Sequence, residues 1–197
     1  IDGAQWGLWP TGGAWLIAQL WDHISHSGDG ALIERLYPAM LGCVEFIAAV
    51  LVPLPGTDLL VTAPSLSPEN IHPHGAALCY GPAMDSQIIR DLFDAVIAAG
   101  EHLQRDAELG ARLAILRARL PADRIGEGGH LQEWLADWDM AVSEIHHRHV
   151  SHLYALYPSQ QIAVDTTPDL AAAARRSLDI RGDDATGWGI GWRINLR

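Results

Sequence analysis

Residues 84–103 read MDSQIIRDLFDAVIAAGEHL, and the order of their apolar positions decides the fold class. Ile88, Ile89, Leu92, Val96 and Ile97 recur at three- and four-residue intervals, the period that lines one face of an α-helix. Asp85 stands where an N-cap is expected, because a short carboxylate can accept from the orphan amides of the first turn.

The same period continues on both sides. Toward the N-terminus, residues 11–27 (TGGAWLIAQLWDHISHS) place Trp15, Leu16, Leu20, His23 and Ile24 at helical spacing, and SGDG closes the run with turn chemistry. Asp29 predicts the cap of a second helix through ALIERLYPAMLGCVEFIAAVLV, with Pro38 either kinking it or opening its main segment. Pro53 and Pro55 stop it, and DLLVTAP is too short for a helix, so a strand or extended arm is expected. Toward the C-terminus, DAELGARLAILRARL predicts a fourth helix stopped by Pro121. PADRIGEGGHLQEWLADWDM reads as irregular, and HHRHVSHLYALYP as a short helix ended before Pro158. Thr167, Pro168 and Gly182 stand in the order of cap, first helical residue and stop. TGWGIGWRINLR opens a last helix. Successive antiparallel helices with loops of unequal length predict an all-α toroid or bundle, forming one domain or part of one.

Composition narrows the function. The chain has 197 residues, 49% of them hydrophobic, enough for an ordinary globular core. Its longest apolar run, residues 41–54, contains Glu45 and Pro53 and falls short of the roughly 20 residues that cross a bilayer. No signal peptide is readable, so compartment is not legible. A net charge of −11, with 13 arginines and no lysine, argues against a nucleic-acid partner. Cys43 and Cys79 have neither metal spacing nor the density of a disulfide framework. Eight tryptophans suit a protein that stacks on sugar rings, and equally suit a helical core.

Four stretches carry possible chemistry. In SLSPENIHPHG (65–75) the prolines exclude a continuous helix and put Glu69 on a shaped loop. Partial burial there would keep its carboxyl protonated for acid catalysis, whereas the competing reading is a surface glutamate capping a turn. HHRHVSH gathers His146, His147, Arg148, His149 and His152; no zincin-type glutamate completes a ligand set, so a polar cluster facing a hydroxyl-rich ligand is favoured over a metal. Hydrogen-bonded packing is the expectation for His152 and His146. GGHLQEWLADWD sets Glu133, Asp137 and Asp139 beside Trp134 and Trp138, which fits sugar recognition and an ordinary wet loop equally. RGDDATGWGIGW lacks the spacing of a phosphate loop and predicts a tight turn into a packed tryptophan helix.

Taken in order, APSLSPEN, MDSQIIRDLF, LQEWLADWD, HRHVSHLYALYP and RGDDATGWGIGW resemble successive motifs of glycoside hydrolase family 95, the inverting α-L-fucosidases with some α-L-galactosidases. The resemblance covers nearly the whole chain. It implies an (α/α)6 barrel that hydrolyses terminal α-linked fucose, with an α-1,2 linkage favoured, and uses no metal or organic cofactor. By the same resemblance Glu69 is the general acid, Arg148 and His149 contact the sugar, and Asp22 reaches it from the LWDH stretch, where the family often has glutamate. An inverting enzyme also needs a base about 6.5–9.5 Å from the acid. The family uses an asparagine polarised by an aspartate, and neither motif occurs in these residues. The resemblance thus implies a partial barrel, residues 1–197, truncated at both ends and holding roughly half of the helices. Such a piece is expected to be inactive alone and to associate through exposed apolar stripes, at about 25 cal/mol per Å². A fucosylated oligosaccharide is the implied partner, and a periplasmic or extracellular whole protein is compatible with it. An α-L-galactosidase and a non-catalytic carbohydrate-binding helical module are the alternatives.

Overall fold

The computed structural model describes residues 3–197. Six α-helices dominate it: α1 (Gly12–Ser27), α2 (Gly30–Val50), α3 (Ala83–Leu103), α4 (Ala107–Ala118), α5 (Pro168–Arg181) and α6 (Gly187–Leu196). To this helical frame are added two antiparallel two-stranded sheets, β1 (Leu51–Pro53) with β2 (Leu60–Thr62), and β3 (Ser65–Leu66) with β4 (Leu78–Cys79). The expected helical class therefore holds for the bulk of the described chain; the strand or extended arm expected in DLLVTAP is β2, and three further short strands accompany it.

The chain divides into two compact units. One comprises residues 10–62 and 88–120. Within it α1 ends at Gly28, whose left-handed φ of 69° lets its amide close on the Ile24 carbonyl. The Asp29 carboxylate then accepts from Leu32 N at 3.1 Å and starts α2 as anticipated. Ile33, Tyr37, Met40, Val44 and Ile47 form the buried face of α2 at alternating four- and three-residue steps. Pro38 neither breaks nor opens this helix, which runs continuously from Gly30 to Val50. A single missing amide costs less than the packing of twenty-one residues returns. On α1 the buried positions are Ala14, Ile17 and Ile24, while Leu16 and Leu20 are exposed, so the stripe read from the sequence is rotated.

The other unit comprises residues 1–9, 63–87 and 121–197. Its core gathers Leu131, Leu153, Ile162, Ala174, Leu178 and Leu196 from loops and from α5 and α6. Thr167, Pro168 and Gly182 occupy the cap, first-turn and stop positions of α5. The Thr167 hydroxyl, however, turns back to Ala163 N and O at 2.9 and 3.1 Å instead of capping. Asp85 does not cap α3 either. The helix begins two residues earlier, and the Asp85 carboxylate is buried, accepting from Trp9 Nε1 at 3.0 Å and Ser65 Oγ at 2.6 Å. The expected helix in HHRHVSHLYALYP is reduced to one 3-10 turn, Ser151–Leu153.

Candidate active site

The SPEN loop leaves β3 at Leu66 and turns back at once, with Asn70 N donating to Ser67 O at 2.9 Å. Ser67 and Asn70 are buried, whereas the two residues between them are only half-buried. Both flanks are tied to one carboxylate. Ser67 Oγ donates to Glu133 Oε1 at 2.5 Å, and Asn70 Nδ2 donates to Glu133 Oε2 at 3.1 Å. The loop is thus anchored at its ends and presents Glu69 at its crest.

Facing Glu69 is the HRH segment. The Arg148 guanidinium hydrogen-bonds Glu69 Oε2, and His149 Nε2 lies 3.4 Å from the same oxygen. Both residues are held through backbone neighbours rather than by a helix. His149 N donates to His147 Nδ1 at 3.1 Å, Arg193 of α6 donates to His147 O at 3.1 Å, and Arg181 of α5 donates to Ile145 O at 2.8 Å. At Gly189 a Cβ would stand 3.0 Å from the Arg148 carbonyl oxygen, so glycine permits the close approach of α6 to this segment. Thr186 caps α6, which brings Trp188 into its first turn; the indole meets the His149 ring edge-on at 5.0 Å and remains 61% exposed.

Burial favours the neutral form of His147, His149 and His152. Burial lowers His147 to about 4, with the charges of His149, Arg148 and Arg181 acting in the same direction. His149 is also lowered, chiefly by burial, while the Glu69 charge pulls it back up. Neutral His149 can accept or donate toward a hydroxyl. His152 is buried and held well below its ordinary value by desolvation, which fits the packing role expected of it. His146 is instead exposed, with Nδ1 at 2.9 Å from Ile180 O.

The structure brings Glu69, Arg148 and His149 together. Asp22 belongs to the other unit, where it is exposed on α1 with its carboxylate 3.4 Å from His26 Nδ1. In the LQEWLADWD stretch, which read equally as sugar recognition and as a wet loop, Glu133, Trp134 and Asp139 are buried and Asp137 is exposed. Trp138 packs with His72 and His74, at ring distances of 4.9 and 5.0 Å, bracing the far end of the loop that carries Glu69. Of the two tryptophans on the helix expected to pack, Trp192 is half-buried with its ring 5.5 Å from that of Tyr157, whereas Trp188 is exposed. Sequence reasoning missed Ser67, Asn70, Arg181 and Arg193 as site supports, and no local signal marks them, because their partners lie 36 to 66 residues away.

Among the described residues, His130, Asp137 and Asp139 bring donor atoms within 4.8 Å of one another, the spacing a cation would need. An imidazolium between two carboxylates meets the same geometry. His130 Nε2 is 3.2 Å from Asp137 and 3.7 Å from Asp139, and the Asp139 carboxylate raises the imidazole against the opposing effect of burial. Each carboxylate spends its other oxygen on a backbone amide, Glu127 N or Glu133 N.

Comparison with known proteins identifies the family. Residues 1–197 match the glycosyl hydrolase family 95 catalytic domain. Similar proteins include Alpha-L-fucosidase 2 of Arabidopsis thaliana, 38% identical over 98% of this chain and 23% of its own length. Probable alpha-fucosidase A of Aspergillus niger is 34% identical over 98% of this chain and 25% of its own length. The chain spans about a quarter of the length of these curated relatives. With the match running from the first residue to the last, the chain belongs to glycosyl hydrolase family 95.

Proposed function

We propose that residues 1–197 are part of an (α/α)6 catalytic domain that hydrolyses terminal α-L-fucosides with inversion, α-1,2 linkages being preferred. The observation that carries this reading is the presentation of Glu69 between Arg148 and His149 on a loop whose two flanks are buried and bonded. Glu69 is the general acid: its proton goes to the glycosidic oxygen as the C1–O bond breaks, and water adds to C1 from the opposite face. The base that takes the water's proton is an asparagine supported by an aspartate, both outside these residues, in line with the family resemblance. No cofactor enters the reaction.

Arg148 and His149 orient the sugar through its hydroxyls. The guanidinium has five N–H donors and Glu69 occupies only part of that fork, leaving donors for ring hydroxyls. A sugar hydroxyl that takes the guanidinium also draws it off Glu69 Oε2, freeing that oxygen to carry the proton it must deliver. Trp188 offers an apolar face at the rim for the sugar ring.

The test is release of fucose from a 2'-fucosylated oligosaccharide by the intact protein, with the anomer followed by NMR. The reading requires β-L-fucose as first product and its loss in Glu69→Gln. Initial release of the α-anomer, or undiminished release by Glu69→Gln, overturns it.

A further inference from the structure

We propose that Glu133 is the positioning residue of this site, a buried carboxylate that holds the acid loop and the sugar-contacting segment in one fixed relation. The inference rests on the reading of Glu69 as general acid. Glu133 is 2% exposed, and its own backbone is pinned on both sides: N donates to Asp139 Oδ1 at 2.9 Å and O accepts from Ala83 N at 3.0 Å. Its carboxylate then receives three donors. Ser67 Oγ and Asn70 Nδ2 come from the residues that bracket Pro68 and Glu69, and Arg181 donates to Oε2 at 2.5 Å.

Two of these partners reach on to the opposite segment. Ser67 Oγ is 2.8 Å from Ser151 Oγ, two residues past His149, and Arg181 donates to Ile145 O, three residues before Arg148. One side chain therefore ties both ends of the loop carrying Glu69 and, through one further bond each, both ends of the segment carrying Arg148 and His149. The three nearest partners all donate, so the site is built for a carboxylate; an amide in its place must turn one N–H pair toward a donor.

Stability alone does not account for this choice. Burying an ion pair returns little net free energy, and apolar side chains of similar volume often do as well or better. What an apolar replacement cannot do is hold Ser67, Asn70 and Arg181 at fixed directions around one point. Geometry of that kind matters to catalysis, since a displacement of about 1 Å at the reacting groups can cost about 10²-fold in rate.

The experiment compares the intact protein with its Glu133→Gln, Ser67→Ala and Asn70→Ala variants on two substrates: a 2'-fucosylated oligosaccharide, whose leaving oxygen needs a proton, and 2,4-dinitrophenyl α-L-fucoside, whose phenolate leaves without one. Glu133→Gln is expected to lower kcat on the oligosaccharide by about 10²-fold, with KM changed less and the dinitrophenyl fucoside cleaved at nearly the original rate. Ser67→Ala and Asn70→Ala, which each delete one donor, are expected to show the same substrate-dependent loss at smaller size. In the Glu133→Gln background Ser67→Ala should add almost nothing. Equal losses on both substrates, or additive losses, overturn the proposal, because a merely structural role lowers both rates alike. Should Glu133→Gln fail to fold, the two single-donor variants decide by the same criterion. A wild-type protein inactive on both substrates would sink the fucosidase reading itself, and the positioning role with it.

Discussion

At the scale of single residues, the site depends on which side chains keep their charge and which do not. Glu69 reaches solvent between a guanidinium and an imidazole, while its neighbours Ser67 and Asn70 are sealed in. Glu69→Gln keeps the shape and removes the transferable proton. Loss of general acid catalysis is typically about 10²–10⁴-fold, so kcat on a fucosylated oligosaccharide is expected to fall within that range, with KM little changed; initial rates on purified protein measure it. His147 gives a pH signature. Its folded pKa, about 4, is depressed below the ordinary 6.5, so the stability it contributes is present above pH 6.5 and is lost as pH falls toward 4. His130, raised by Asp139, acts with the opposite sign: its contribution is present below 6.5 and fades as pH rises through the raised value. His147→Asn keeps an acceptor for His149 N–H and cannot titrate in this window. Its denaturation midpoint is expected to fall less between pH 6.5 and 4 than that of the parent, and identical pH dependence would exclude His147 as a source.

At the scale of elements, the site is assembled by helix ends and loops rather than by helix faces. The last turns of α5 and α6 supply Arg181 and Arg193, and each gives one guanidinium nitrogen to a carbonyl in or just before the HRH segment, Ile145 O and His147 O. The first turn of α6 must also come close to Arg148. Gly189→Ala inserts a methyl 3.0 Å from the Arg148 carbonyl and 3.1 Å from Ala185 Cβ. We expect kcat/KM on the oligosaccharide to drop several-fold while far-UV CD stays unchanged; an unaltered kcat/KM would show that the approach is not tight in solution. The helices themselves were legible because their signals are local: the three- and four-residue steps of α3, the Asp29 cap of α2 and the Thr167–Pro168 start of α5. Where local reasoning failed, a distant partner had claimed the group. Asp85 looked like a cap and is taken by Trp9 and Ser65, the latter 20 residues away. Glu133 read equally as a sugar contact and as part of a wet loop, and is enclosed by donors 48 to 66 residues away. Glu69 was singled out through motif order, since nothing in the residues beside it separates an acid catalyst from a turn.

At the scale of the whole chain, apolar side chains remain on the surface in each unit. Leu16, Phe46 and Ile115 are exposed in one; Trp188, Ile190 and Ile194 are exposed in the other, the last two a helical turn apart on α6. At about 25 cal/mol per Å² such faces favour association. Residues 1–197 produced alone are therefore expected to sediment as oligomers at micromolar concentration and to release no fucose, the proposed base lying outside them. A monodisperse monomer would contradict the first expectation, and turnover above a Glu69→Gln control the second.

The indole that borders His149 makes the site optically addressable. Tryptophan fluorescence is quenched by a protonated imidazole and shifts when its exposed face is covered, and Trp188 has both a neighbouring imidazole and an uncovered face. The protein thus carries a native emitter beside the proposed sugar site, able to register the charge of His149 and the arrival of a sugar ring without any attached dye.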